Sequence, residues 1–137
     1  MGNRAQRYQG GVAVDAEVTI GSTGAGDTRF FSGDLDEVQI YNVALTEIEI
    51  TALYAQSQGG GGGGDPEDLP GVLGYWRFNE GAGETVADSS GNGNDGTIVA
   101  SEAAWVTDDA LGSVYQSGGG SYVDLGTLTV IGPDTDF

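Results

Sequence analysis

The residues best suited to chemistry lie between Ala87 and Gly96, where the chain reads Asp88-Ser89-Ser90-Gly91-Asn92-Gly93-Asn94-Asp95. A calcium ion takes about six to eight oxygen ligands from carboxylates, amide side chains and backbone carbonyls. Asp88, Asn92 and Asn94 supply side-chain oxygens, and a glycine-rich loop lets the carbonyls around Gly91 converge without obstruction. The same residue types also build a turn with no ion, because Asp and Asn side chains satisfy their own backbone by hydrogen bonding. On the sequence alone both readings stand.

A second acidic stretch, Asp34-Leu35-Asp36-Glu37, is a poor glycosidase. On a strand Asp34 and Asp36 share one face while Glu37 points the other way, and no partner carboxylate follows at the spacing that glycoside hydrolysis needs. Composition removes most other catalysis. The 137 residues contain 26 glycines, 21 acidic residues and four arginines, with no lysine, histidine or cysteine. That excludes a Ser-His or Cys-His nucleophile, a Schiff base, a thiolate or imidazole metal site and a P-loop lysine. The chain is therefore expected not to be an enzyme. A net charge of -17 repels phosphate, so nucleic acid and anionic membranes are not expected partners, whereas divalent cations and neutral sugars are. Trp76, Trp105, Tyr115 and Tyr122 are the rings on which a sugar could stack. Trp76 lies in an apolar run that reads as core, Trp105 reads as packed, and Arg77 is expected to pair with a carboxylate.

The elements that would position these groups are mostly strands. Apolar residues at 38 % suffice for the core of one domain. No run approaches the roughly 18 apolar residues of a membrane span, and Met1 to Gln9 lack the apolar core of a signal peptide. Gly11 to Ile20 alternates Val12, Val14, Ala16, Val18 and Ile20 with polar residues, which predicts a strand. Leu35 to Tyr41 reads as a second strand. Thr46 and Glu49 have capping-box spacing ahead of an amphipathic helix, carrying Leu45, Ile48, Ala52, Leu53 and Tyr54 and ending near Gln58. Six glycines, Gly59 to Gly64, open a linker over 59–70 that separates a segment 1–58 from a segment 71–137. In the second segment Val72 to Phe78 reads as a strand buried on both faces. Further strands are predicted at Gly96 to Ala100, Ser113 to Gln116, Ser121 to Leu125 and Thr127 to Ile131. Short strands at close turn spacing with one short helix point to an all-β, antiparallel sandwich.

Gly74-Tyr75-Trp76-Arg77-Phe78-Asn79-Glu80-Gly81, Asp88 through Gly96, and Ser121-Tyr122-Val123-Asp124-Leu125 together resemble the start of a LamG-like, concanavalin A-like jelly roll. Phe31-Ser32-Gly33-Asp34-Leu35-Asp36-Glu37-Val38-Gln39-Ile40-Tyr41-Asn42, with Ala44-Leu45-Thr46 and the helix, resembles that family's end. The order is permuted: the closing half, 1–58, precedes the linker and the opening half, 71–137, follows it. The resemblance implies that Asp36 approaches the Asp88 loop and shares its calcium ion; Asp34 is a weaker candidate, since its side chain equally suits a cap on the turn into the strand. Catalytic relatives of this architecture carry Glu-x-Asp-x-Glu on one strand, which Asp34 to Glu37 does not match.

Measured against the family, three or four strands of about five or six residues are missing between Phe137 and Arg7. An incomplete sandwich leaves edges open to another copy; the same halves equally fit a permutant pairing within one chain, or a fragment or shortened permutant spanning two tandem modules. The chain is accordingly expected to be an extracellular or cell-surface structural protein, calcium-stabilised, whose half-sandwiches complete one another between neighbouring copies into head-to-tail filaments. The alternative expectation is a carbohydrate-binding or adhesive module with glycan partners.

Overall fold

The computed structural model describes residues 17–23, 29–57, 68–99, 104–108 and 112–128. Residues 11–16 of the strand expected over Gly11 to Ile20, the glycines 59–64 of the linker and the continuation through 129–131 lie outside the described residues. Alternation builds the central strand: along β9 (Tyr122–Thr127) Val123 and Leu125 are buried while Tyr122 and Asp124 are half-buried, the two-residue period of a sheet with one face on a core. The same rhythm places Ile98 of β6 (Gly96–Val99) inward and Thr97 and Val99 outward. With β1 (Glu17–Ile20) and β5 (Thr85–Val86) these strands form a four-stranded antiparallel sheet in the order β1-β9-β6-β5.

A second antiparallel sheet has the order β2-β8-β7, from β2 (Gly33–Leu35), β7 (Ala104–Asp108) and β8 (Gly112–Ser117). A third pairs β3 (Val38–Tyr41) with β4 (Val72–Trp76), again antiparallel. All three contribute to one core, in which Trp76, Phe78, Val86, Ile98, Tyr115, Val123, Leu125 and Leu128 are buried. The expected β content, the antiparallel pairing and the single short helix are what the structure has among its described residues.

The three described strands of the first segment all pair across the linker: β1 with β9, β2 with β8 and β3 with β4. None of them pairs with another strand of its own segment. The ladders thus close within a single chain in this structure.

Several boundaries differ from expectation for local reasons. The strand expected over Leu35 to Tyr41 is two strands serving two sheets. Glu37 sits between them in the left-handed region at φ 52°, which turns the chain out of one ladder and into the other. β9 runs unbroken through Gly126, where a gap between strands was expected. β5 and β7 were not anticipated at all. The helix α1 (Glu47–Ser57) begins with the expected reciprocal cap: Thr46 N–H and Oγ1 donate to Glu49 Oε2 at 2.6 and 2.7 Å, and Glu49 N–H donates back to Thr46 Oγ1 at 3.4 Å. Its packed side is narrower than expected. Ala52 and Leu53 are half-buried, but Ile48 and Tyr54 remain 82 % and 68 % exposed.

Candidate functional site

The Asp88 loop is built around β4. In a strand the N–H and C=O of alternate residues point to the same edge. Tyr75 therefore turns both groups away from β3, and Leu73 turns its carbonyl the same way. The loop takes them all. Tyr75 N–H donates to Asp88 Oδ1 at 3.0 Å, and Tyr75 C=O accepts from Ser89 N–H at 2.8 Å. Leu73 C=O accepts from Asn94 Nδ2 at 2.7 Å and from Asn92 Nδ2 at 3.3 Å, and Val72 C=O accepts from Asn92 Nδ2 at 2.9 Å. The buried Trp76 donates its indole N–H to the Asn94 carbonyl at 2.8 Å, and Trp76 and Asp88 form an isolated bridge. A loop of Asp, Ser and Asn thus does for the outer edge of β4 what a further strand would do.

Within the loop Asp88 is the hub. Besides Tyr75, its Oδ1 accepts from Ser90 N–H at 2.9 Å, and its Oδ2 accepts from Asn94 N–H at 2.9 Å. Burial pushes this carboxyl up, but the hydrogen bonds from Ser90, Tyr75 and Asn94 outweigh it and hold the carboxyl below the usual range. Asp95 and Glu80 complete the clamp, accepting from Asp88 N–H and Ala87 N–H, both at 2.8 Å. Sequence reasoning assigned no part to Asp95, Glu80 or Ser90. Their signal was present, since each is a polar residue that can cap a loop backbone, but nothing in the sequence says which amide each will face.

Calcium needs oxygen lone pairs converging on one point. Here both Asp88 oxygens face N–H donors, and Asn92 and Asn94 turn their Nδ2 groups, not their oxygens, toward the β4 carbonyls. Gly91 is exposed at φ 81°, turning the loop at its tip. The three N–H donors occupy three of the about four acceptor sites of the Asp88 carboxylate, two on Oδ1 and one on Oδ2, which is the donor set of the hydrogen-bonded turn.

Asp36 lies between β2 and β3. Burial first, and the charge of neighbouring Glu37 second, push its carboxyl up. Among the described residues no three His, Cys, Asp or Glu side chains gather in a group fit to hold a metal ion. Asp34 accepts from Gln116 Nε2 at 3.2 Å across the β2–β8 ladder.

Of the aromatic residues weighed as sugar platforms, Trp76 and Tyr115 are buried and Trp105 and Tyr122 are half-buried. Trp76 is fully buried. Trp105 donates its indole N–H to Gly83 C=O at 3.0 Å and meets the buried Tyr115 edge-on at 5.6 Å. Tyr122 stacks on Phe30 at 6.4 Å. Arg77 places its guanidinium over the Tyr75 ring, 5.0 Å from the centroid, and the Tyr75 hydroxyl donates to Glu37. Among the described residues no helix is long and apolar enough to cross a membrane.

Comparison with protein-family models, with curated proteins and with solved structures gives no match.

Proposed function

We propose that this chain is a non-catalytic structural module, a LamG-like jelly-roll sandwich in permuted order that works outside the cell by joining copies of itself head to tail. The observation that supports this reading is the pairing across the linker: β1, β2 and β3 each find their partner in the other segment, at β9, β8 and β4. Two segments that complement each other in one chain can do so between two chains, because the ladders are the same and only the connection differs. A reciprocal exchange closes as a dimer, whereas the head-to-tail exchange proposed here leaves an unused half at each end and so propagates. Calcium enters as a ligand that would strengthen the join; the clamp on β4 is already satisfied by its own hydrogen bonds.

The test is negative-stain electron microscopy and sedimentation of the full chain across a concentration series, with calcium and after chelation. A mixture of two fluorescently labelled populations is followed in parallel. The expected result is particles that grow with concentration and contain both labels. Monomers at every concentration, with no mixing of labels after partial unfolding and refolding, would sink the proposal.

A further inference from the structure

We propose that Asn92–Gly93 is a self-modifying bond, at which the Asn92 amide is converted to a carboxylate and the clamp on β4 is thereby loosened. This inference does not depend on assembly. Asn92 is the one asparagine of the chain followed by glycine. It is exposed, and a Cβ placed on Gly93 would meet nothing within 4 Å beyond its chain neighbours, so the space beside Gly93 is open. Gly93 stands at φ 76° with no side chain to shield its amide nitrogen.

The chemistry balances with water as the only co-reactant. The Gly93 amide nitrogen gives up its proton and attacks Asn92 Cγ. The new Cγ–N bond closes a five-membered imide as the Cγ–Nδ2 bond breaks, and Nδ2 leaves as ammonia with a proton drawn from water. Water then adds to either imide carbonyl. Breaking the new bond gives aspartate, and breaking the original peptide C–N bond gives isoaspartate, with the backbone rerouted through the side chain. Nothing is oxidised or reduced.

The structure gives the conversion a consequence. Asn92 Nδ2 is the donor to Val72 C=O at 2.9 Å, with further contacts to Leu73 C=O at 3.3 Å and Ser90 Oγ at 3.1 Å. Conversion replaces that donor with a carboxylate, an acceptor facing two carbonyl acceptors, so the bonds become repulsions. Leu73 keeps its bond from Asn94, whereas Val72 loses its bond from the loop. Val72 is the first residue of β4 and pairs with Tyr41 of β3, so the change loosens a ladder that joins the two segments.

The test ages the folded full chain at mildly alkaline pH and physiological temperature, with a urea-unfolded sample alongside, and maps acid-for-amide conversion by peptide mass spectrometry and isoaspartate detection. The expected result in the folded sample is conversion concentrated at Asn92 over Asn79 and Asn94, aspartate and isoaspartate together, and a lower melting temperature in the aged protein. Asn92→Gln keeps an amide donor but cannot close the five-membered ring, and is expected neither to convert nor to lose stability on ageing. Conversion at Asn92 no faster than at Asn79, or seen in urea alone, overturns the site. An Asn92→Asp chain that melts at or above the parent overturns the loosening.

Discussion

Replacing Asp88 with alanine removes the acceptor for three amides at once, and the loss can be worked from where those amides sit. The Tyr75 N–H belongs to a residue 3 % exposed, so leaving it without an acceptor costs about 1–3 kcal/mol. The Ser90 and Asn94 amides belong to half-buried residues of a surface loop and can turn to water, so each contributes about 0.5 kcal/mol. The expected total is about 2–4 kcal/mol at neutral pH, read from urea unfolding of Asp88→Ala against the parent chain. The carboxyl is held below its usual range in the folded protein, so its contribution is present above the unfolded value of about 4 and is lost as pH falls through the folded value. The gap between parent and variant should therefore narrow in strong acid. A variant within about 0.5 kcal/mol of the parent at neutral pH would refute the clamp. Repeating the measurement with calcium and after chelation separates the two readings of the loop. If chelation alone costs the parent as much as the substitution does, the carboxylate serves an ion and not the amides.

Two further substitutions test the packing and the electrostatics around this edge. A Cβ on the buried Gly74 would clash with three carbons of the Trp76 ring, so Gly74→Ala must displace a fully buried indole; we expect a loss of about 3 kcal/mol or failure to fold, read from tryptophan fluorescence during unfolding. The Asp36 carboxyl is raised by burial and by Glu37, so its charged form opposes folding. Asp36→Asn is expected to stabilise the protein at neutral pH, with the gain shrinking as acid protonates the native carboxyl, and thermal melts across pH check the sign.

Strand character was legible where alternation is strict, as in Val123 and Leu125 of β9, because a two-residue period with one apolar face admits few alternatives. The helix was legible from its cap, since Thr46 and Glu49 stand at the one spacing that satisfies both amides. What escaped was decided by distant partners. Glu37 adopts φ 52° where no glycine or asparagine announces a turn, and the consequence is a strand divided between two sheets. β5 has two residues, too few to show a period, and exists because Thr97 and Gly96 offer a ladder to Thr85 and Val86. At the loop, the cluster of Asp and Asn is plain in the sequence, but whether Asn92 and Asn94 turn oxygen or nitrogen inward depends on β4 carbonyls some 20 residues earlier. Local sequence does not encode that choice.

The pairing of Glu17 with Thr127 sets an order of events during synthesis. At translation rates of about 5–20 residues per second, the two ends of that ladder leave the ribosome on the order of 5–20 seconds apart. Through that interval β1 has no β9 to join, and β2 and β3 wait likewise for β8 and β4. The first segment is thus born before its partners, with its edges open to any newly made second segment nearby. On a polysome the nearest such segment can belong to the chain ahead.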